Sequence, residues 1–420
     1  MANILVFNAG SSSQKSCLYI LDAEAQGTAQ QPSFQPPDPV WEAQIDWISP
    51  SDKAGNKQEN AARLSIHTHT GESLVKTIAS PSRLETLSYL LSCLYEGPTQ
   101  AIASLKEIDI VGHRVVHGGQ DYQQSVFITP AVKATIDRLS PLAPKHNPAN
   151  LEGIELMESL LNNVPQVAVF DTAFHAQMPD VAATYPGPYD WKAQGIRRYG
   201  FHGISHRYCT QRAAQILGRS VDDLKLIVCH LGNGGSLAAV KNGKSIDTTM
   251  GFTPLEGLMM GTRCGSVDPG ILIHLMRQGK SADEIDQILN RASGLKGISG
   301  ISHDMREIES AISQGNERAE LAQALYIHRL KACIGAMLMS LGGVDAIVFT
   351  AGIGEHSSRI RSAACEGMAF LGVAIDSNAN EGNPVDTDIA TDASAVRVLV
   401  IRTQEDWAIA QSCGQLLDEE

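Results

Sequence analysis

The sequence predicts an α/β fold made of two similar halves, and three observations support this prediction. Apolar runs that end in Gly, Asn or Ser recur along the chain, which is typical of buried strands that end in turns. Amphipathic helical segments lie between them. A strand, an Asn/Gly/Ser turn and a second strand occur at residues 4–21 and again at 225–240, about 220 residues later. A chain of 420 residues is long enough for two such halves, although hairpins can also resemble each other by chance.

The first half begins with a predicted β-hairpin, ILVFNAGSSSQKSCLYIL. Residues 22–60 include QQPSFQPPDP, which contains too much proline for a helix or a central strand, so this segment is predicted to be a surface insertion. Apolar residues at helical spacing predict an amphipathic helix within 84–105. Two further buried strands, IDIVGHRVV and VPQVAVF, run into polar loops.

The second half repeats this pattern. LKLIVCHLGNGGSLAAV predicts another hairpin, and AIVFTAGIGEH predicts a buried strand that leads into a glycine loop. The last segment, from residue 397 onward, predicts a strand, an acidic turn and a helix that could pack on either half.

Composition excludes several classes of partner. Acidic residues outnumber basic residues by 46 to 33, which disfavours binding to nucleic acid or to an anionic membrane. The start lacks a basic n-region, and no run of about 18 apolar residues occurs, so we expect neither secretion nor membrane insertion. The eight cysteines lack CxxC spacing, which indicates reduced thiols in the cytoplasm rather than a zinc site.

Three glycine-rich turns follow apolar strands and are candidate phosphate-binding loops. They are NAGSSS at 8–13, LGNGGS at 231–236 and TAGIGE at 350–355. Each alone is consistent with an ordinary hairpin turn, but three in one chain favour a nucleotide. No Walker or dinucleotide-binding motif is present.

Two arginines lie in loops rich in glycine or histidine, Arg114 in GHRVVHGG and Arg263 in MMGTRCGSVDPG. A guanidinium group suits carboxylates and phosphates, and it stabilises the charge that develops in phosphoryl transfer. The alternative for each arginine is a structural salt bridge. The flanking glycines, Gly261 and Gly265, favour close packing around a ligand at Arg263.

His202 and His206 have helical i, i+4 spacing, but no HExxH glutamate accompanies them. We therefore favour His202 as a donor to a phosphoryl oxygen over a zinc ligand. Asn8, Asp171 and Glu405 each follow or end an apolar strand, where oxygen ligands could hold magnesium. Helix capping is the common alternative for such acidic residues.

Together these segments resemble the acetate kinase family, within the superfamily of acetate and sugar kinases, Hsp70 and actin. The matching blocks are ILVFNAGSSSQK, GHRVVHGG, PLAPKHNPAN, VFDTAFH, RYGFHGISH, HLGNGGS, GFTPLEGLMMGTRCGSVDP, FTAGIGEH and TQED. They follow the family's order along the whole chain except the Gln/Pro-rich segment. The resemblance implies reversible transfer of the γ-phosphoryl group of ATP to acetate, giving acetyl phosphate and ADP.

The resemblance also implies two RNase H-like (actin-like ATPase) domains with a cleft between them. The first would comprise residues 1–169, completed by a C-terminal helix at 405–420, and the second would comprise 170–404. The second domain would bind the nucleotide and form a homodimer.

Site residues are carried over by position from the resemblance. The implied catalytic residues are Asp171, Arg114, His202 and Arg263. The implied substrate-binding residues are Arg114, Val116, His146 and Pro254. The implied ligands of Mg²⁺ (or Mn²⁺) are Asn8 and Glu405. The implied contacts to ATP or ADP are Lys15, His230, Leu231, Gly232, Asn233, Gly234, Asp304, Met305, Arg306, Gly352, Ile353, Gly354, Glu355 and His356.

The chain departs from the family pattern at four places. His356 replaces an asparagine, Gln404 and Asp406 stand in TQED where TNEE is usual, CGS replaces SGD, and Lys145 replaces an apolar residue before His146. None removes a charged catalytic group, but the nucleotide contact at His356 and the substrate pocket at Lys145 become uncertain.

Three rival functions differ in what their sites require. A propionate or other short-chain acyl kinase would differ only in pocket shape. A non-catalytic nucleotide-binding protein like Hsp70 or actin has no reason to place two arginines around a second anion. A sugar kinase needs a general base, whereas acetate is already an anion.

Overall fold

The computed structural model describes residues 1–10, 13–21, 36–48, 61–79 and 82–418. The chain divides into two compact units. The first unit comprises Met1–Ala173 and Gln404–Glu420, and the second comprises Phe174–Thr403. The domain boundaries that the family resemblance implied were 169/170 and 404/405.

The first unit is built on one eight-stranded sheet with helices packed against it. In chain order its elements are β1 Ala2–Ala9, β2 Ser13–Leu21, β3 Trp41–Ile48, β4 Ala61–Thr68, β5 Ser73–Ala79, α1 Arg83–Tyr95, β6 Ile110–Val115, β7 Val126–Phe127, α2 Pro130–Arg138, α3 Asn147–Leu160 and β8 Gln166–Phe170. The strand order is β5-β4-β3-β2-β1-β6-β8-β7. β1, β6 and β8 are parallel, so their carboxyl ends lie at one edge of the sheet.

The predicted surface insertion at 22–60 is wrong over Trp41–Ile48. These residues form β3, which pairs with β2 on one side and β4 on the other. Trp41 and Ile45 are fully buried in the core of the first unit. The proline-rich stretch ends just before β3 begins. The prediction was wrong because the structure inferred from the prolines was also assigned to the residues after them. Residues 22–35 and 49–60 lie outside the described part of the chain.

The second unit contains a six-stranded sheet. Its elements are α4 Asp180–Ala183, α5 Asp190–Ala193, α6 Gly203–Leu217, β9 Lys225–Leu231, β10 Gly235–Lys241, β11 Lys244–Thr248, α7 Pro269–Arg277, α8 Ala282–Arg291, α9 Gly294–Ser299, α10 Met305–Ser313, α11 Glu317–Leu341, β12 Ala346–Thr350, α12 Ala351–His356, α13 Ser358–Cys365, α14 Ser377–Glu381, β13 Thr387–Asp388 and β14 Arg397–Val400. The predicted glycine loop at 350–355 is instead the start of a short helix, α12, directly after β12.

The two sheets share one topology. Strands β3-β2-β1-β6-β8-β7 correspond to strands β11-β10-β9-β12-β14-β13, with the same relative direction at every pairing. The similarity of the two predicted hairpins is therefore an internal duplication and not chance.

One helix of the second unit, α11, is long and apolar enough by length and composition to cross a membrane. One face of it, however, packs into the core of this unit through residues that include Tyr326, Leu330 and Ile334. This buried face accounts for part of the apolar composition of α11.

The last helix, α15 Glu405–Asp418, belongs to the first unit and packs on β1 and β6. A methyl group on Gly112 of β6 would lie 2.6 Å from both Cys413 Sγ and Ile409 Cγ2. Glycine at this position therefore permits the close approach of α15, which places Glu405 and Asp406 beside the sheet.

Candidate active site

The carboxyl-end edge of the first sheet carries several of the predicted residues. Asn8 lies near the end of β1, Arg114 near the end of β6, and Asp171 directly after β8. Lys15 on β2 is exposed and pairs across the hairpin with Asn8. Glu405 begins α15, which packs on these strands. The structure thus collects these five residues in the first unit.

Arg114 and Asp171 form an ion pair. The Asp171 side chain is 1% exposed and the Arg114 side chain 22%. Neither Arg114 Nε nor Asp171 Oδ1 has a hydrogen-bond partner among the described residues, although both atoms are buried. The salt-bridge alternative for Arg114 is therefore realised, but the pair retains an unused donor and an unused acceptor. Buried polar atoms of this kind are costly unless a ligand or water satisfies them.

Negative charge accumulates around this pair. The pKa of Glu405 is raised to about 7, chiefly by burial. The charges of Asp171 and Asp406 act in the same direction, and those of Arg114 and Lys15 oppose the shift. Burial also raises the pKa of Asp406. For Arg114, burial would lower the pKa, but Asp171 and Glu405 more than compensate and hold it above its ordinary value.

A divalent cation fits this set of donors. Asp171 Oδ1 is an unpartnered carboxylate oxygen, and Asn8 and Glu405 add an amide and a carboxylate, all hard oxygen ligands. Within the described ranges, no group of three or more His, Cys, Asp or Glu side chains could hold a metal alone. Magnesium would therefore also need phosphate and water ligands, as it commonly does.

The loop after β6 is held by two asparagines of α3. Val116 and His117 donate their backbone N–H groups to the side chains of Asn150 and Asn147, each at 3.1 Å. The Asn150 amide also donates to the Ala9 carbonyl at 2.7 Å. Both asparagines are almost completely buried. Both asparagines lie in the motif PLAPKHNPAN, but no role was predicted for them. The pattern that could have indicated one is asparagine at the start of a helix after a proline-rich turn.

The predicted substrate-binding residues of the first unit differ in exposure. Val116 is buried at 5% exposure, and His146 lies at the N-cap of α3, partly exposed. Lys145 is exposed, as expected if its charge points to solvent.

In the second unit, His202 and Arg263 converge on Gly234. A methyl group on Gly234 would lie 3.3 Å from Arg263 Nη1 and 3.5 Å from His202 Nε2. Arg263 forms no ion pair with a carboxylate in the described part of the chain, and its Nη1 donates to the Pro254 carbonyl at 3.3 Å. Two cationic or hydrogen-bonding side chains and a side-chain-free backbone therefore face one small space, a suitable arrangement for a phosphoryl group.

The prediction that Gly261 and Gly265 allow close packing around a ligand at Arg263 is wrong. A methyl group on Gly261 would lie 2.3 Å from Asn233 Oδ1, and one on Gly265, whose φ is +72°, would lie 2.3 Å from the Leu258 carbonyl oxygen. Packing of the protein on itself requires both glycines, so they are not evidence for a ligand.

His202 is held by its backbone and its ring. It caps α6 in the left-handed conformation, with φ at 56°, and its ring stacks on His230 at a centroid distance of 4.2 Å. His202 Nδ1 lies 2.9 Å from Ser236 Oγ. His206 lies one helix turn after His202, and the rings of both contact the same serine, Ser236.

The predicted nucleotide segments come together within the second unit. The turn from His230 to Gly234 contacts the Gly261 region, because Gly261 donates its N–H to the Asn233 carbonyl at 3.0 Å. A methyl group on Gly261 would lie 3.2 Å from His303, which precedes Asp304. Asp304 caps α10 and pairs with the exposed Arg306.

The third nucleotide segment, α12, follows a strand next to β9. Thr350 at the end of β12 pairs with His230. Glu355 accepts the N–H groups of Ala351 and Thr403, at 2.8 and 3.0 Å. Gly352 and His356 are exposed.

The sequence matches known proteins over almost its full length. A family model described as the acetokinase family matches residues 3–411. The chain belongs to the acetokinase family. Among its relatives, the acetate kinase of Acaryochloris marina is 64% identical over 98% of this chain and 98% of its own, and that of Nostoc punctiforme is 60% identical over 99% of each.

Solved structures of this acetokinase family agree with the fold. The acetate kinase of Porphyromonas gingivalis has a TM-score of 0.89 and 42% identity, covering 99% of this chain and 100% of its own. A propionate kinase of Francisella tularensis has a TM-score of 0.86 and 37% identity, covering 98% and 99%. The predicted fold class, two domains of the actin-like ATPase type, is confirmed.

Proposed function

We propose that this enzyme transfers the γ-phosphoryl group of ATP to acetate, reversibly, giving acetyl phosphate and ADP. It is a phosphotransferase whose acceptor is a carboxyl group, and ATP and ADP are its co-substrates, as in the acetate kinases to which it is 54–64% identical. The observation that carries the proposal is the convergence of Arg263 and His202 on the bare backbone of Gly234.

The chemistry requires no general base. Acetate is an anion at neutral pH, so the enzyme must bring two anions together and stabilise charge on the transferred group. We assign Arg114 to the acetate carboxylate, Arg263 to the phosphoryl oxygens and His202 to the donation of a hydrogen bond in the transition state. Asp171 orients Arg114 through their ion pair. Electrostatic stabilisation by fixed donors is the largest source of catalysis in such reactions.

Asn8 and Glu405 are the residues that would hold Mg²⁺ or Mn²⁺. When bound, the cation would neutralise phosphate charge. The unpartnered oxygen of Asp171 and the carboxylates beside it support this assignment. Lys15, the turn from His230 to Gly234, Asp304 to Arg306 and Gly352 to His356 are assigned to the nucleotide.

Propionate is the nearest alternative acceptor, since a propionate kinase has a similar structure. Buried Val116 favours acetate, because a branched side chain at this position would crowd an additional methylene group.

We also propose that the enzyme is a cytoplasmic homodimer formed through the second unit. Between Leu321 and Met339, the exposed residues of α11 are mostly small or apolar, and His328 is the polar exception. They include Ala332 and Gly335. Met339 is 79% exposed and Leu321 is 54% exposed, so this face presents apolar surface at both ends, and a contiguous apolar face of this kind is typical of an interface. All eight cysteines are free, which suits a reducing compartment.

The dimer is tested by sedimentation velocity of Ala332→Arg, with Val181→Arg as the control on another exposed apolar residue, which lies outside α11. We expect the first variant to be monomeric and the control to remain dimeric. A monomeric unmodified enzyme would contradict the proposal.

Activity is tested with purified protein, Mg-ATP and a panel of acetate, propionate, butyrate and glucose, with hydroxylamine as the trap for acyl phosphate. We expect acetohydroxamate to form fastest. A folded protein that forms no hydroxamate above the no-enzyme background would refute the proposed function, and faster reaction with propionate would promote the alternative.

A further inference from the structure

Ser236 of β10 joins two histidines of the second unit. Its Oγ lies 2.9 Å from His202 Nδ1 and 2.7 Å from His206 Nε2. Ser236 and His206 are both completely buried. A hydroxyl group has a single hydrogen, so Ser236 can donate to only one of these rings and must accept from the other.

The surroundings of His206 decide the direction. Burial lowers the pKa of His206 well below its ordinary value, and the charges of His175 and His230 act in the same direction, so the ring is neutral and carries one N–H. Its Nδ1 is buried and has no hydrogen-bond partner among the described residues. An orphaned buried N–H is rarer than an orphaned acceptor, so the hydrogen belongs on Nε2.

Ser236 Oγ has two lone pairs and could also accept from both rings, but its own buried hydrogen would then have no partner among the described residues. The arrangement that satisfies every hydrogen therefore fixes the direction of the second bond. His206 Nε2–H donates to Ser236 Oγ, and the Ser236 hydroxyl donates to His202 Nδ1. His202 Nδ1 is therefore an acceptor, and the neutral ring carries its hydrogen on Nε2. This is the atom that lies near Gly234 and Arg263.

We propose that Ser236 and His206 are positioning residues that hold His202 in the tautomer whose Nε2–H faces the Gly234 backbone. The inference rests on the proposed function in assigning that N–H to a phosphoryl oxygen. With the opposite tautomer, His202 would present a lone pair to an anionic group and repel it. The hydrogen bonds from His206 to Ser236 and from Ser236 to His202 thus keep the hydrogen of His202 on Nε2, where it can donate to a bound anion.

The tautomer is measured directly on the full-length protein, labelled with ¹⁵N-histidine, by long-range ¹H–¹⁵N correlation spectra at roughly pH 8, above the ordinary histidine pKa. His202→Gln assigns the signal. We expect His202 to be protonated at Nε2 in the unmodified enzyme and to show a measurable Nδ1–H population in Ser236→Ala. A proton on Nδ1 in the unmodified enzyme, or an unchanged tautomer in Ser236→Ala, would overturn the proposal.

Kinetics supply a second readout. Ser236→Ala should lower kcat by roughly 10- to 100-fold with the KM values for ATP and acetate within about twofold, because the lost donor acts in the transition state. His206→Gln, whose amide can replace the Nε2–H donor, should retain most of kcat, and His206→Leu should not. Equal losses for the Gln and Leu variants would assign His206 a packing role only.

Ser245→Ala is the matched control. Ser245 is also buried and its Oγ lies 2.7 Å from a buried histidine, His175 Nδ1, but it has no bond to His202. We expect its kcat to stay within about twofold of the unmodified enzyme. If the unmodified enzyme makes no acyl phosphate, the proposed function fails while the tautomer measurement still decides the hydrogen-bond direction. If it does, an unaffected kcat in Ser236→Ala refutes the inference alone.

Discussion

The two units share a strand order but carry different charged side chains around the predicted site residues. The edge of the first sheet carries carboxylates and an arginine paired to one of them, and burial raises the pKa of Glu405 there. In the second unit, Arg263 forms no ion pair with a carboxylate in the described part of the chain, and it lies with His202 beside Gly234. The two units therefore share a scaffold, while the side chains carried on it give the first unit oxygen donors suited to a cation and the second unit hydrogen-bond donors suited to an anion.

The largest expected effect concerns the two arginines. Arg114→Ala and Arg263→Ala should each lower kcat by roughly three orders of magnitude, since both act on charge in the transition state. The two variants should differ in their free energy of unfolding. Arg114→Ala leaves the buried carboxylate of Asp171 unpaired and should lower the free energy of unfolding by about 3 kcal/mol, whereas Arg263→Ala breaks no ion pair with any residue that the structure describes.

Turnover and urea unfolding of the two variants check this prediction, and lysine should rescue either poorly. Arg138→Ala is the control, because it removes an exposed ion pair with Asp121 that contributes at most about 1 kcal/mol. A loss below tenfold in kcat for either alanine variant would make that arginine structural.

Acid sensitivity is the next effect. A carboxylate whose pKa is raised in the folded state, such as Glu405, does not contribute to acid unfolding, whereas a buried neutral histidine does. Burial lowers the pKa of His113 to about 4, and the hydrogen bond from its Nε2–H to Gln166 opposes this only in part. Below the ordinary pKa of about 6.5 the unfolded chain binds more protons, so the stability from this group is lost as the pH falls toward 4.

His113→Gln should therefore lose about 2 kcal/mol less of its free energy of unfolding between pH 7 and pH 5 than the unmodified enzyme does. Urea unfolding at both pH values measures this difference, with exposed His356→Gln as the control. Identical pH dependence in His113→Gln would show that other groups dominate.

The smallest expected effect concerns the preference for acetate over propionate, which we assign to Val116 of the first unit. We expect kcat/KM for acetate to exceed that for propionate by roughly tenfold, the value of one methylene in an apolar pocket. Val116→Ala should narrow this ratio, since Val116 is buried. Lys145→Leu should change it little, because Lys145 is exposed. An unmodified enzyme that prefers propionate would reverse the assignment of substrate.

Local patterns in the sequence were sufficient for the two hairpins, for the buried strands β6, β8, β12 and β14, and for Asp171 directly after β8. Arg114 was predicted in a loop but lies within β6, one residue before its end. Contacts between distant segments were not predictable from such patterns. Asn150 bonds the end of β1 from 141 residues away, and Ser236 reaches a helix about 30 residues earlier. Trp41–Ile48 was missed because its strand character was judged from the prolines before it. For α15, the pattern alone left two places open, and only the family resemblance selected the first unit.

The position of α15 has a consequence for how the protein is made. Ribosomes release a chain from its N-terminus, and domains generally begin to fold as they emerge. The first unit cannot complete its core until residues near 418 have been synthesised, because α15 covers the faces of β1 and β6 around Gly112. The second unit, 174–403, is whole before then. The first unit therefore begins to be synthesised first but completes its fold last, and its proposed metal ligand Glu405 is added with the final helix.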